Sequence, residues 1–202
     1  GIKVESAKKI IVYSHIYYQY RSDATLVLPV QTTGKEYYCM SYEQGGSSHR
    51  SQFMIVAKAD STIIKITPTT DLRSSSNGRL AANKTYSIEL DEGEVYQGRA
   101  YSGSLSDDVT GTHIEVIDTG ANAKCRTISV FSGNSWTKLG CTGGFGSGDN
   151  LYEQMYPVNS WGSSFVTVPL KGVNSDNLRF MASKDATTIL VYSPITGAKR
   201  LY

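Results

Sequence analysis

The stretch "FMIVAKADSTIIKI" at residues 53–66 is the clearest indication of the fold class. Two apolar, β-branched runs flank a short polar corner that contains one Asp. Such runs predict two β-strands joined by a turn. Nearly the same pattern returns as "LRFMASKDATTILV" at residues 178–191, where Asp185 takes the place of Asp60. The chain therefore predicts the same local structure twice, which indicates an internal repeat.

Three further pairs of similar stretches follow the same order along the chain. They are "GIKVE" and "GTHIE", "VYS" and "VFS", and "LVLPV" and "VTVPL", which begin at residues 1 and 111, 12 and 130, and 26 and 166. We interpret them as a duplicated unit of roughly 110–140 residues, a size that suits a β-sandwich. We expect a first β unit at 1–110 and a related one at 111–202, which is either truncated or packed with the first as one domain.

The remaining segments are typical of strands, since short runs rich in Val, Ile, Thr and Tyr end at Gly, Asn, Asp or Ser. We predict an all-β fold of antiparallel, sandwich-like units joined by Gly/Ser-rich loops. "FVTVPL" at 165–170 and "RFMAS" at 179–183 are predicted strands of the second unit. "DNLYEQM" at 149–155 is predicted as a single helical turn.

Charge and hydropathy exclude two classes of partner. The 202 residues carry a formal net charge of +2 that is spread along the chain, so nucleic acid is not an expected partner. The longest apolar run falls far short of the roughly 20 residues that a bilayer span needs. We therefore expect no membrane insertion.

The three cysteines leave two alternatives open. Cys39, Cys125 and Cys141 form no CxxC pair and no Cys/His cluster, which argues against a structural zinc site. Cys125 and Cys141 flank a predicted strand and turn, so they form a disulfide if the protein is secreted. The alternative is that all three are reduced thiols.

No cofactor is expected. Asp60 and Asp185 both lie at corners where a carboxylate accepts local hydrogen bonds. Calcium coordination is the alternative, although neither corner offers a D-x-D-x-D loop.

Aromatic residues supply the candidate binding site. "SHIYYQYRSD" at residues 14–23 combines flat, amphipathic tyrosines with an arginine, both of which are favoured at interfaces. If this segment were one extended strand, Tyr18 and Tyr20 would share one face and Tyr17 the other. A purely structural strand is the alternative. The predicted ligand-binding residues are Tyr17, Tyr18, Tyr20, Arg21, Trp136 and Trp161.

Catalytic motifs do not appear in the sequence. There is no H-x-x-x-H, G-x-S-x-G or Cys/His pattern, and the glycine-rich "GGFGSGDN" at 143–150 lacks the Lys-Ser/Thr of a P-loop. Paired carboxylates brought together from distant strands leave a carbohydrate-active enzyme as a third alternative. We predict that the chain is not an enzyme.

Several blocks occur in an order that points to one family. They are "FMIVAKADSTIIKITP", "TYSIELDEGEVYQ", "DVTGTHIEV", "ISVFSGNSW" and, most specifically, "LYEQMYPVNSWG" followed by "FVTVPL". This ordered set resembles the N-terminal domain of IgGFc-binding proteins, a family found in animal mucus proteins and in large surface proteins of gliding and adhesive bacteria, especially Bacteroidetes. The resemblance implies an extracellular, non-enzymatic binding module.

One departure from that family affects the expected function. Animal members tend to carry paired cysteines around the "VFSG" block, whereas Trp136 follows Ser135 here and Cys141 stands alone in its loop. The departure favours a bacterial member, and no residues for immunoglobulin binding are carried over.

The predicted function is adhesion at the cell surface. The expected partners are a protein or glycan on another surface and the neighbouring domains of the same parent chain. The alternative is a structural spacer in a multidomain surface stalk.

Overall fold

The computed structural model describes residues 1–74, 78–117, 126–139, 148–168, 178–193 and 197–202. Within these ranges the chain forms fourteen strands, two short 3-10 turns (Val30–Thr32 and Val158–Ser160) and no α-helix. The strands are β1 Val12–Tyr18, β2 Arg21–Val27, β3 Glu36–Tyr38, β4 Ser51–Ala57, β5 Thr62–Thr67, β6 Leu72–Ser74, β7 Gly78–Leu80, β8 Tyr86–Leu90, β9 Val95–Ala100, β10 His113–Val116, β11 Ile128–Thr137, β12 Asp149–Gln154, β13 Leu190–Tyr192 and β14 Lys199–Leu201. The predicted all-β, antiparallel fold is confirmed.

Two sheets enclose the core. One has four strands in the order β3-β10-β5-β8, and the other has six in the order β12-β11-β4-β9-β6-β7. Two separate hairpins, β1-β2 and β13-β14, complete the described strands. All of these pairings are antiparallel.

The stretch at 53–66 connects the two large sheets. β4 pairs with β9 and β11, whereas β5 pairs with β8 and β10, so the corner between them crosses from one sheet to the other. Alternate residues of both strands are fully buried, among them Phe53, Ile55, Ile64 and Ile66. Period-2 alternation therefore delivers one face of each strand to a shared core.

The corner itself is tied to a second turn by reciprocal hydrogen bonds. Asp60 Oδ1 accepts a bond from the Glu92 amide at 3.0 Å, and Asp91 Oδ1 accepts one from the Ser61 amide at 2.9 Å. Ser61 has a positive φ of 53°, a conformation that turns require and that β-branched residues avoid. Asp60 lies in the turn as predicted, but the amide that donates to its side chain belongs to Glu92 in the second turn and is not local.

Three local predictions are wrong. Residues 165–168 and 179–183 form no strand, and in the stretch at 178–191 only the last residues form one, β13, which pairs with β14. Residues 149–154 of this segment form β12 rather than a helical turn, because β11 is their antiparallel partner, with a register shift between Asn134 and Thr137. Strand formation depends on such partners, which no local pattern reveals.

Strands from both predicted units share the large sheets. β10 pairs with β3 and β5, and β11 pairs with β4. The duplication and the boundary after residue 110 stay predictions. None of the described helical turns is long and apolar enough to cross a membrane.

Candidate functional site

The β1-β2 hairpin lies along β12, at the edge of the six-stranded sheet. Side chains of β2 satisfy backbone amides of this edge: Tyr152 N–H donates to Asp23 Oδ2 at 2.7 Å, and Gln154 N–H donates to the Thr25 hydroxyl at 2.9 Å. These bonds replace a regular strand ladder and cover an edge that would otherwise be open to pairing. They also fix the tyrosine-rich hairpin against the body of the protein.

A cavity of about 240 Å³ opens between the hairpin tip and the six-stranded sheet. Three predicted site residues line it, namely Tyr17, Tyr18 and Arg21. The exposed fractions of Tyr17 and Tyr18 are 77% and 61%, so both rings offer contact area to a partner. The sheet contributes further lining residues, among them Gln52, Met54, Gly133 and Tyr152.

Arg21 is held in place by three contacts. Its Nη1 donates to the Ser135 carbonyl at 2.8 Å and lies 3.3 Å from His49 Nδ1. Its guanidinium also lies 4.6 Å from the centroid of the Tyr18 ring, within cation–π distance. The arginine therefore links the hairpin tip to β11 and orients Tyr18.

Trp136 adjoins this site through His49 without lining the cavity. The two rings are 5.1 Å apart, and a Cβ at Gly45 or Gly148 would come within 2.4 Å or 2.2 Å of the indole. Only glycine fits at these two positions, so the indole is packed between backbone segments. Burial lowers the pKa of His49, and the charges of Arg21 and Arg50 lower it further.

Tyr20 and Trp161 do not line the cavity. The chain reverses at Gln19 and Tyr20, so Tyr18 lies opposite Arg21 and the expected alternation of Tyr18 with Tyr20 is wrong. Tyr20, with a φ of 68°, is 91% exposed at the turn. Trp161 lies 6.0 Å from the Tyr38 ring and donates through Nε1 to the Tyr156 carbonyl.

Sequence reasoning missed the part of the site that the sheet provides. Tyr152, whose ring stacks on Phe131 at 5.6 Å, belongs to the segment that was expected to be helical. Gln52 and Met54 face outward from β4, opposite the buried residues of that strand. The sequence carries no signal for this, because β4 reads SQFMIVA, in which the outward Met54 is as apolar as the buried Phe53 and Ile55.

One of the three cysteines, Cys39, lies within the described residues. Cys39 is buried and free, and burial raises the pKa of its thiol. Cys125 and Cys141 lie outside the described residues, so their disulfide stays a prediction. Among the described residues, no group of three His, Cys, Asp or Glu side chains could hold a metal ion.

Comparison with known proteins places the chain in a family. The family described as IgGFc binding protein matches residues 23–201. The human IgGFc-binding protein is 23% identical over 184 residues, which cover 89% of this chain and 3% of the human protein. No solved structure matches. The chain belongs to the IgGFc-binding protein family.

Proposed function

We propose that the chain is an extracellular, non-enzymatic binding or adhesion module of a large bacterial cell-surface protein. The observation that carries this proposal is the pair of exposed tyrosines, Tyr17 and Tyr18, at the rim of a cavity where Arg21 holds the Tyr18 ring. Aromatic and arginine side chains held in this way bind a partner with little loss of conformational entropy. The partner is a protein or glycan on another surface.

The family relationship supports a binding role. The human relative is named for binding the Fc part of IgG, and this chain corresponds to a small part of that protein's length. A module of a long surface chain would contact both its partner and its neighbouring domains. Immunoglobulin itself is one of the partners to be tested.

A binding screen with matched variants tests the proposal. The wild-type chain and a Tyr17→Ala/Tyr18→Ala variant are compared on a glycan array and in an immunoglobulin pull-down. Tyr13→Ala is the control, since Tyr13 is 65% exposed on the same strand and does not line the cavity. We expect a ligand that the double variant binds at least tenfold more weakly and the control binds normally.

Two results would contradict the proposal. A ligand bound equally well by the folded double variant would mean that the cavity is not the site. Absence of any ligand would favour the spacer. That alternative has its own support in the apolar side chains of Phe165, Val166 and Val168, which are 81%, 94% and 76% exposed and suit contact with a neighbouring domain.

An enzyme is the least supported function. Acidic side chains of the hairpin and of β12 are already used as acceptors: Asp23 binds the Tyr152 amide, and Glu153 accepts a bond from the Thr25 hydroxyl. Burial raises the pKa of Glu153, which the Thr25 bond partly offsets. These carboxylates attach β2 to β12, so a structural role accounts for them.

A further inference from the structure

Three arginines lie side by side on the outer face of the six-stranded sheet. Arg99 of β9 is directly opposite Arg73 of β6, and Arg73 is directly opposite Arg79 of β7. Their neighbours along the strands, such as Leu72 and Leu80, are buried in the core. Alternation therefore points all three arginines to solvent, and all three are exposed.

This arrangement has an energetic cost in the free protein. Neighbouring strands lie about 4.8 Å apart, so three positive side chains originate within about 10 Å of one another. Like charges directly opposite each other destabilise a sheet, whereas opposite charges stabilise it. An anionic ligand would remove this repulsion, so the row, which we call the arginine row, is explained by binding better than by folding.

Intramolecular contacts neutralise only part of the charge. Arg79 forms an ion pair with Asp71, and the pKa of Asp71 is lowered by a hydrogen bond from the Ala82 amide and by this arginine. The guanidinium groups of Arg73 and Arg79 lie 5.0 Å and 5.1 Å from the Tyr101 ring. Within the described ranges, neither Arg73 nor Arg99 has an ion pair.

The register that aligns the three arginines continues across the six-stranded sheet. The same register leads from Arg99 to Gln52, Gly133 and finally Tyr152 at the cavity. Five interstrand steps span about 24 Å. Along this face the outward positions of β4 and β9 contain no carboxylate and are all exposed or half-buried; they are Gln52, Met54, Val56, Val95, Gln97 and Arg99.

We propose that this face binds an extended acidic polysaccharide. Guanidinium groups bind sulfate and carboxylate groups through paired hydrogen bonds, which suits arginine better than lysine. Gln52 and Gln97, whose side chains are bonded to each other at 3.0 Å, place amides beside the arginines for the hydroxyl groups of the sugar.

The geometry argues against the other polyanions. A peptide that adds a strand pairs with a sheet edge through its backbone, whereas the arginine side chains rise from a face of the sheet. The β12 edge is covered by the β1-β2 hairpin, and the opposite edge strand, β7, has only three residues. Single-stranded nucleic acid is bound on grooves that add stacking aromatic side chains to basic ones, and the outward positions of β4 and β9 hold no aromatic residue. Acidic peptide and nucleic acid are therefore competitors in the test.

The experiment compares two variants that remove equal charge. Arg73→Gln/Arg79→Gln/Arg99→Gln removes the arginine row, and Lys8→Gln/Lys65→Gln/Lys184→Gln removes three exposed lysines elsewhere. Binding to heparin is measured at several salt concentrations, with polyglutamate and single-stranded DNA as competitors. We expect the arginine variant to bind heparin about tenfold more weakly per arginine, with a shallower salt dependence, and the lysine variant to bind like wild type.

Three results would overturn the proposal. They are no heparin binding by the wild-type chain, equal weakening by both triple variants, and competition by polyglutamate or DNA at the same concentration as heparin. The arginine variant is also measured in the glycan-array and immunoglobulin screen, so failure of the cavity as a site stays separate from failure of the arginine row; Tyr13→Ala, which lies outside both sites, should retain heparin binding. Circular dichroism and thermal melting establish that each variant folds.

Discussion

Residues 53–66 and 178–191 share one sequence pattern and adopt two different structures. The first stretch forms two buried strands that connect the large sheets, whereas the second is mostly irregular and exposed until β13 begins at Leu190. Yet the corner is built in the same way in both. Thr62 donates to the Ala59 carbonyl and Thr187 donates to the Lys184 carbonyl, three residues back in each case.

Backbone angles extend the agreement. Ser61 and Ala186 hold aligned positions, and both have a positive φ, of 53° and 56°. The features common to the two turns are therefore local ones: a threonine hydroxyl that donates three residues back, and allowed backbone angles. A strand needs neighbours: β4 and β5 each have a partner on both sides, whereas among the described strands β13 pairs with β14 alone.

Removing the same side chain from both stretches should have the most unequal effect. Ile64 is fully buried in the core, so Ile64→Ala should reduce the free energy of unfolding by about 3 kcal/mol. The aligned substitution Ile189→Ala should cost less than about 1 kcal/mol, because Ile189 lies in the exposed stretch and is only partly buried. Denaturant unfolding of both variants measures the difference.

Equal losses of unfolding free energy in the two variants would contradict the proposed difference between the two stretches. They would mean that Ile189 is buried in solution as deeply as Ile64, and hence that 178–191 forms a second core. An unchanged m-value in both variants shows that the measured difference is one of stability rather than of the unfolded state.

The sequence pattern predicts those parts of the fold whose burial alternates locally. β4 and β5 follow from the two apolar, β-branched runs in 53–66, and the position of Asp60 in a turn follows from its residue type. β12 could not be predicted in this way, since its backbone bonds are made to β11 and to Asp23 and Thr25, which are distant in sequence. Long-range pairing overrides a weak local preference for helix.

The candidate site also has a part that local sequence predicts and a part that depends on contacts between distant segments. Tyr17, Tyr18 and Arg21 could be predicted because aromatic residues and arginine are typical of binding surfaces. Gln52, Met54 and Tyr152 line the same cavity only because the hairpin lies against the edge of the sheet. A single sequence carries no direct signal for that contact, so the sheet side of the site needs the structure.

Substitution of the two aligned aspartates, Asp60 and Asp185, should have unequal effects on stability that are smaller than those of the isoleucines. Asp60→Ala removes the acceptor of the Glu92 amide and should lower the free energy of unfolding by about 1 kcal/mol. Asp185→Ala should have almost no effect, because no hydrogen bond to the Asp185 side chain occurs among the described residues. Thermal melting of the two variants under the same buffer conditions tests this; a similar loss at Asp185 would reveal an acceptor role for it.

The smallest expected effect concerns what the two stretches have in common. A left-handed conformation strains a residue with a side chain, so glycine should relieve the strain at Ser61 and at Ala186, offset by the greater entropy of an unfolded chain with glycine. Ser61→Gly should therefore change the free energy of unfolding by only a few tenths of a kcal/mol.

For Ala186→Gly the sensitive measurement is amide hydrogen exchange at residues 186–189. If the corner at 184–187 is formed in solution as it is at 59–62, glycine will leave exchange there unchanged or slow it. Faster exchange would mean that the local sequence alone does not hold the turn, and the distinction between locally specified turns and partner-dependent strands would fail at its simplest point.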